Sequence, residues 1–287
     1  MKKVFLLLLL FIVVGTNGVL ASDSYESITI NNKNMRIYKK GENDKTIVLL
    51  SSWGTENPID DFKPLIDTLS SDYKVVAIEY FGYGESAITE DARSNKVIVE
   101  EIRAALKAVH VNPPYILMPH SMSGLYSLSY ANSYAEEVSA IIGIDASLPE
   151  KQLERWTQES FETAKLDETS TTLNISIVNQ WNKFFDNSME LKDIKYPINL
   201  PVLSFLASEQ IKSIDEMIKS RQMKTTWIQI NKNMITNPNI QVIKVLDGKH
   251  YLHHSQTEII SKYSKKFLSN IVKTQKINLV SQRDVQL

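Results

Sequence analysis

Residues 116–124, which read Ile-Leu-Met-Pro-His-Ser-Met-Ser-Gly, constrain the fold of this chain more than any other stretch. An apolar run ends at a serine that is followed at once by a segment of helical character, so the sequence predicts a strand, a sharp turn and a helix. In such a nucleophile elbow the turn holds the serine hydroxyl above the edge of the sheet. The next backbone N–H then lies at a helix N-terminus, where it can bind an oxyanion.

Two serines compete for the tip of this turn. Because the turn is tight, the residues two positions before and two positions after the tip must be small. Around Ser121 these residues are Pro119 and Ser123. Around Ser123 they would be Ser121 and Leu125, and leucine does not fit. Ser121 is therefore the candidate nucleophile, and the backbone N–H of Met122 is a candidate oxyanion donor.

Strand-like and helix-like segments alternate over most of the chain, and several of the strands are apolar runs bounded by turn residues. The predicted strands are 24–30, 34–39, 46–50, 74–80, 115–118, 140–144, 202–206 and 241–246. The predicted helices are 60–69, 93–110, 124–137 and a last one that opens at Ser255 in a capping box with Glu258. This alternation predicts an α/β fold with a doubly wound, mostly parallel sheet.

The stretch of about residues 147–196 breaks the alternation after the sixth predicted strand. It contains no apolar strand-like run and carries aromatic residues in a polar, helix-prone background. These aromatic residues are Trp156, Phe161, Trp181, Phe184 and Phe185. We expect a helical cap laid over the C-terminal edge of the sheet. Its aromatic side chains either face down into a pocket or hold the cap on the core.

The N-terminus predicts an export signal. Two lysines precede an unbroken apolar run over residues 4–14, and Val-Leu-Ala at 19–21 supplies the small residues that signal peptidase needs. We expect a signal peptide over residues 1–21 and one folded domain over residues 22–287, secreted or held at the cell envelope. The first apolar run is too short to span a bilayer, but extended to Leu20 it would serve as an uncleaved anchor.

Composition and charge exclude several functional classes. Apolar residues make up 43% of the 287 residues and charged residues 23%, as in an ordinary globular domain. The formal charge of −1 argues against nucleic acid or a strongly anionic membrane as an obligatory partner. The absence of cysteine excludes disulfides, a thiol nucleophile and a lipid-modified cysteine. There is no phosphate loop, and we expect neither a metal nor an organic cofactor.

Three segments resemble the alpha/beta-hydrolase family. The turn at Ser121 resembles its elbow, usually Gly-His-Ser-Met-Gly-Gly, with Pro119 and Ser123 in place of two glycines. Residues 75–86 resemble its Asp-x-x-Gly-x-Gly-x-Ser segment, with Glu79 in place of aspartate. Residues 247–250, Asp-Gly-Lys-His, resemble its Gly-x-His signature before the final helix. The resemblance covers about residues 25–272 and implies a nucleophile, an acid and a base in that order along the chain.

The resemblance also implies roles for individual residues. His250 matches the base. The other histidines, which fit a helix end, the elbow and the rim of the last helix, are His110, His120, His253 and His254. The family commonly draws its acid from the turn after a strand beginning Pro-Val-Leu, where Glu209 lies, so we favour Glu209; Asp145, at the end of the preceding strand, is the alternative acid. Residues 49–54 resemble the family's His-Gly-x-Gly stretch, which assigns a second oxyanion donor to the N–H of Trp53.

These features together predict a secreted serine hydrolase that cleaves a small-molecule carboxylic ester through an acyl-enzyme on Ser121. An exported peptidase or amidase of the same fold, such as a proline iminopeptidase, is a second interpretation. A non-catalytic receptor or regulator with a hydrolase fold is a third, because the elbow glycines are altered. Neither nucleic acid nor a membrane is expected as an obligatory partner.

Overall fold

A computed structural model describes residues 23–149, 157–167, 169, 171–220, 223 and 225–284, with side chains described as far as residue 271. The predicted signal peptide, residues 1–21, and the aromatic residue Trp156 lie outside the described residues. Within these described ranges, no helix has both the length and the apolar content that crossing a membrane requires.

The described strands form one sheet. They are β1 Ser24–Ile30, β2 Lys33–Lys40, β3 Thr46–Leu50, β4 Lys74–Ile78, β5 Tyr115–Pro119, β6 Val138–Ile144, β7 Val202–Ala207 and β8 Gln241–Leu246. Their order in the sheet is β1-β2-β4-β3-β5-β6-β7-β8. The pairs β1–β2 and β2–β4 are antiparallel, and the remaining neighbours are parallel. The predicted doubly wound, mostly parallel sheet is therefore confirmed.

The central strands are apolar throughout because both of their faces are covered. Every residue of β3 and of β5 is buried. Successive side chains of β3 point to opposite faces, so Val48 and Leu50 belong to the core on one side and Ile47 and Leu49 to the core on the other. A strand of this kind requires helices on both faces of the sheet.

Helices cover both faces. They are α1 Pro58–Asp61, α2 Lys63–Leu69, α3 Asn95–Ala108, α4 Ser123–Ser133, α5 Gln158–Thr163, α6 Ile175–Asn182, α7 Phe184–Glu190, α8 Ser208–Ser220, α9 Trp227–Asn233, α10 Leu252–Ser255 and α11 Thr257–Asp284, with a 3-10 turn at Ala135–Glu137. α3 and α4 pack together on one face, where Ile102 and Leu125 join the core. α2 and α11 pack together on the other, where Leu65 and Ile260 do the same.

Two predicted helices differ from the observed ones. The helix predicted over residues 60–69 is split at Phe62, because Pro64 has no N–H to donate to the carbonyl of Asp60 four residues earlier. The predicted capping box that opens the last helix at Ser255 is wrong. Ser255 instead ends the short helix α10, and α11 begins at Thr257.

The loop after β4 is stabilised by a buried glutamate. Glu79 is fully buried and accepts the N–H of Glu85 at 2.8 Å, while the Ser86 hydroxyl donates to the Glu79 carbonyl at 2.7 Å. Burial raises the pKa of Glu79. A Cβ at Gly84, whose φ is 51°, would lie 2.3 Å from the Glu79 carboxylate, so this position requires glycine. The segment therefore supports the fold, as its sequence indicated.

Helices α5, α6 and α7 occupy the interval between β6 and β7, for which we predicted a helical cap. The described residues of this interval contain no strand. Phe161, Phe184 and Phe185 are buried in the core cluster, with the Phe161 and Phe185 ring centroids 5.4 Å apart, so these three hold the helices in place. Trp181 is less buried and lies 4.9 Å from the ring of Trp53. The domain boundaries at residues 147–196 stay a prediction.

The order of the strands creates a crevice at their carboxyl ends. From β3 the chain passes to β4 on one side, and from β4 it returns to β5 on the other side of β3. Because the loops after β3 and β5 leave the sheet in opposite directions, a gap opens between them, which is where ligands bind in open α/β sheets. The sequence-predicted site residues follow β3, β5, β6, β7 and β8 at this edge.

Candidate active site

Ser121 lies at the tip of the turn between β5 and α4, with a φ of 52° in the left-handed region. The end of β6 and the loop after it hold its backbone in place. The N–H of Ser147 donates to the Ser121 carbonyl at 2.7 Å, and the Ser121 N–H donates to the carbonyl of Ile144 at 3.3 Å. A Cβ at Gly124 would lie 2.3 Å from the Ser147 carbonyl. The close approach that requires glycine is therefore at Gly124, and Ser123 is tolerated one position earlier.

Three side chains form a hydrogen-bonded chain at this turn. His250 Nε2 lies 2.8 Å from Ser121 Oγ, and His250 Nδ1 lies 2.6 Å from Asp145 Oδ2. Because an ionised carboxylate only accepts, Nδ1 carries the proton and the bare Nε2 accepts the Ser121 hydroxyl. Asp145 is fully buried, and its Oδ1 accepts the N–H of Ala207 at 3.1 Å. This carboxylate fixes the orientation of the imidazole and is placed to stabilise an imidazolium.

The preference for Glu209 as the acid is wrong. β7 runs directly into α8 at Ser208, so Glu209 lies in the first turn of a helix, where it is exposed and its N–H donates to Gly248 at 3.1 Å. Asp145 follows β6 with a φ of 43°, and this sharp turn at the strand end directs its carboxylate to His250. The alternative acid is therefore the residue that the structure brings to the base.

The two candidate oxyanion donors lie on the loops that leave β3 and β5. Met122 immediately precedes α4, and Trp53 follows β3 by three residues. Neither backbone N–H donates a hydrogen bond to another described residue. Both groups are thus free to bind an oxygen that carries developing charge, as an oxyanion hole requires. Their role in catalysis stays a prediction.

Ser123 links these two loops, a role that its small size alone did not indicate. Its hydroxyl donates a short hydrogen bond to the carbonyl of Ser51, just after β3. Since that hydrogen is used, the Tyr80 hydroxyl must donate to Ser123 Oγ, from which it lies 2.9 Å away. Burial raises the pKa of Tyr80 well above its usual value, so it stays a neutral donor. Serine in place of the usual glycine therefore ties the elbow to the loop of Trp53.

A second buried network joins this loop to the helices of the predicted cap. The Tyr83 hydroxyl accepts the N–H of Gly54 at 3.1 Å and donates to the side-chain oxygen of Gln180. The side-chain NH₂ of Gln180 donates to the Tyr126 hydroxyl at 2.9 Å. Burial raises the pKa of Tyr83 and Tyr126. The sequence carried no signal for these residues, because their contacts join segments far apart in the chain.

A second aspartate–histidine group adjoins the first. Asp61 accepts His253 Nε2 at 2.9 Å and His254 Nε2 at 2.8 Å. His120 Nε2 donates to the carbonyl of His250 at 3.2 Å, and its ring centroid lies 4.6 Å from that of His253. Burial lowers the pKa of both His120 and His253, so both rings are neutral at pH 7. His254 is half exposed, as a rim position predicted, whereas His253 is fully buried.

Comparisons with known sequences find distant relatives. YbdG of Bacillus subtilis (strain 168), an uncharacterized protein, is 35% identical over 124 residues, which are 43% of this chain and 38% of that protein. YqjL of the same strain, also uncharacterized, is 21% identical over 233 residues, which are 78% of this chain and 83% of that protein. The chain therefore spans well under half of YbdG but most of YqjL.

Comparisons with solved structures find the same fold at low sequence identity. The Cif epoxide hydrolase from Acinetobacter nosocomialis superposes with a TM-score of 0.65 at 13% identity, covering 86% of this chain and 89% of that one. The epoxide hydrolase VrEH1 from Vigna radiata gives 0.63 at 15% identity, with coverage of 86% and 98%. A predicted CIB-like hydrolase from Thermoplasma acidophilum gives 0.58 at 18% identity, with coverage of 87% and 99%.

The family model described as the alpha/beta hydrolase fold matches residues 45–237, which is more than half of the chain. This range contains the elbow, Asp145 and the neighbouring strands β3 to β7 of the sheet. The chain belongs to the alpha/beta hydrolase fold family.

Proposed function

We propose that this protein is a serine hydrolase that cleaves a small-molecule carboxylic ester through an acyl-enzyme on Ser121. The observation that carries the proposal is the continuous hydrogen-bonded chain from Asp145 through His250 to the Ser121 hydroxyl. A serine hydroxyl is a weak nucleophile by itself and becomes reactive when a base is positioned to take its proton. Here the base lies within hydrogen-bond distance, and a buried carboxylate orients it.

The first half of the reaction forms the acyl-enzyme. As Ser121 Oγ attacks the ester carbonyl, its proton passes to His250 Nε2, and Asp145 stabilises the imidazolium that results. The carbonyl oxygen becomes an oxyanion, for which the N–H groups of Met122 and Trp53 are the donors. When the tetrahedral intermediate collapses, the bond to the alcohol oxygen breaks, and the alcohol leaves with the proton from Nε2.

The second half repeats these steps with water. His250 Nε2 takes a proton from a water molecule as that water attacks the acyl carbon. Collapse of the second intermediate releases the carboxylic acid and returns the proton to Ser121 Oγ. Each proton that is taken up is therefore given back within the cycle.

The surroundings of the oxyanion loop favour an ester with an apolar group. The rings of Trp53 and Trp181 lie against each other with centroids 4.9 Å apart and planes tilted by 44°, and the Trp53 indole donates to the carbonyl of Ile177 at 2.9 Å. The aromatic pair is only partly buried, so its remaining surface is apolar and open to solvent. An aliphatic or aromatic acyl or alcohol group would cover that surface.

Labelling with a fluorophosphonate probe tests the proposal directly. We expect phosphonylation of Ser121 in the wild-type chain and none in Ser121→Ala or His250→Ala. Ser123→Ala is the matched control, because it removes the other serine of the turn while Ser121 stays the labelled residue. Folded wild-type protein that is never labelled would contradict the proposal and favour a receptor or regulator with this fold.

A second assay separates ester from amide cleavage. A short-chain acyl ester and an aminoacyl anilide are offered to the same preparation, with Ser121→Ala as the blank. We expect turnover of the ester to exceed that of the anilide. Faster turnover of the anilide would favour the peptidase or amidase interpretation, with the same nucleophile.

We also propose that the protein is exported. The proposal is supported by the two lysines, the apolar run and the small residues that end at Ala21. Sequencing the N-terminus of the protein recovered from its native host tests it, and we expect Ser22 as the first residue. A recovered chain that begins at Met1 would contradict cleavage.

A further inference from the structure

We propose that Asp61, His120 and His253 form a binding site for one divalent transition-metal ion of the zinc class, beside the catalytic group. One carboxylate oxygen of Asp61 and one ring nitrogen of each histidine lie within 4.8 Å of one another. Zinc ligands lie about 2.0–2.2 Å from the ion in a tetrahedral arrangement, so two of them are about 3.3–3.6 Å apart, and the three side chains would draw together to bind it.

The hydrogen bonds of the two histidines indicate which ring nitrogens can bind the ion. Because a carbonyl only accepts, His120 Nε2 carries the proton that it donates to His250, and His120 Nδ1 is bare. His120 Nδ1 is buried and has no hydrogen-bond partner among the described residues. Buried acceptors of this kind are rare unless a ligand or water satisfies them. His253 Nε2 lies 2.9 Å from Asp61 Oδ2, so an ion held by both side chains would take the place of the proton between them.

The partners of these residues are those that support a metal site. A histidine that binds a metal usually donates its other N–H to a carboxylate or a backbone carbonyl, and His120 makes that bond to His250. The second oxygen of Asp61 accepts His254 Nε2 at 2.8 Å, which fixes the orientation of the carboxylate. The ring of Phe62 lies 5.0 Å from that of His253 and provides an apolar wall.

The donor set selects the class of ion. Two imidazoles and one carboxylate suit zinc, cobalt or nickel, whereas calcium and magnesium prefer oxygen ligands. The Asp61 carboxylate offsets part of the charge of the ion. Three protein ligands leave a fourth position for water.

The ion would join three parts of the chain that carry or border the catalytic group. Asp61 ends α1, His120 directly precedes Ser121, and His253 lies in α10, three residues after His250. Because an ion bound to the native arrangement favours the folded state, zinc is expected to raise the thermal midpoint of unfolding.

Metal binding to the full chain without a polyhistidine tag tests the proposal. Equilibrium dialysis against Zn²⁺ is expected to give one ion per chain, and Co²⁺ is expected to show the strong visible bands of nitrogen ligation in a low-coordinate site. Asp61→Asn and His253→Gln are each expected to weaken binding at least about tenfold. Each keeps a side chain able to form a hydrogen bond, and circular dichroism checks that each is folded.

Two control variants locate the ion. His254→Gln replaces a half-exposed histidine outside the proposed ligand set with a side chain that can still donate to Asp61, so its affinity is expected to fall less than that of either ligand variant. His250→Ala removes the catalytic imidazole and is expected to retain the ion. Three outcomes would each overturn the proposal. They are loss of the ion in His250→Ala, an affinity equal to wild type in Asp61→Asn and His253→Gln, and no saturable binding to wild type. If neither ligand variant folds, a wild-type Co²⁺ spectrum identical to that of the hydrated ion overturns it.

Discussion

Two aspartate–histidine groups lie side by side at the carboxyl edge of the sheet, and they differ in what the second ring nitrogen meets. In the first group Asp145 holds His250, whose Nε2 faces the hydroxyl of Ser121 at 2.8 Å. In the second group Asp61 holds His253, whose Nδ1 meets no hydrogen-bonding group among the described residues. The pairs are alike in chemistry but differ in their third member.

The difference teaches that a carboxylate and an imidazole do not make a catalytic group by themselves. The side chain of His250 is 27% exposed, so a substrate can reach it, whereas that of His253 is 0% exposed. Ser121 reaches His250 only because the turn after β5 takes a left-handed backbone. The geometry around the pair, and not the pair itself, decides between proton transfer and another use.

The largest expected effect comes from removing the charge of each aspartate in turn. Asp145→Asn is expected to lower kcat on a short-chain ester by about 10³–10⁴-fold, because the neutral amide no longer stabilises the imidazolium or the correct tautomer. Asp61→Asn, the matched variant in the second group, is expected to lower kcat less than about tenfold. Steady-state kinetics on both variants checks the contrast, and equal losses would show that the two groups act as one.

Removing the buried histidine of the second group is expected to change stability. His253→Leu leaves Asp61 with one of its two imidazole partners and is expected to lower the free energy of unfolding by about 1–3 kcal/mol. His254→Ala, at the half-exposed position, is expected to cost less than about 0.5 kcal/mol. Urea denaturation of both variants gives the comparison. A His253→Leu variant as stable as wild type would mean that the bond to Asp61 contributes nothing.

The catalytic group also depends on supports that the second group lacks. Tyr83→Phe removes the acceptor for the Gly54 N–H and the contact with Gln180, which loosens the loop of Trp53. We expect kcat to fall about tenfold with little change in KM, because the oxyanion forms only after binding. Tyr25→Phe, at a half-exposed position on β1, is the control and should match wild type. Equal kinetics for the two variants would remove Tyr83 from the support of the oxyanion loop.

The smallest expected effect is at the residue that the sequence favoured as the acid. Glu209→Gln is expected to keep kcat/KM within about twofold of wild type, since Glu209 is exposed in α8 and Asp145 already holds His250. The kinetic assay used for Asp145→Asn measures it. A loss comparable to that of Asp145→Asn would restore Glu209 to the group.

Much of the fold could be predicted because local sequence and tertiary burial agree. β3 and β8 were predicted with the bounds that the structure gives, since each is bounded by turn residues. The elbow was predicted because its steric requirements act within a few residues. Helix ends could be predicted less well, because α2 begins anew at Lys63 and the short helix α10 ends at Ser255 before α11 begins.

The acid and the second group could not be settled from the sequence for a physical reason. Asp145 and Glu209 both follow buried strands, and what distinguishes them is the left-handed backbone at Asp145 and the helix that begins at Ser208, neither of which the sequence reveals. Asp61 contacts His253, which lies 192 positions later in the sequence, and no local sequence pattern reveals a contact between residues so far apart in the chain. Periodicity predicts which residues are buried, but it carries no information about which buried polar atoms find a partner.

The position of the base has a consequence for how activity and folding are related. His250 follows β8, which is the last strand of the described sheet and pairs only with β7. A strand at the margin of a sheet opens locally at a lower free energy than the strands at its centre. A low concentration of denaturant would therefore move His250 away from Ser121 while β3, β5 and β6 keep their structure. Enzymatic turnover would then report the local stability of β8. It would be lost at a lower denaturant concentration than the circular dichroism signal of the whole domain.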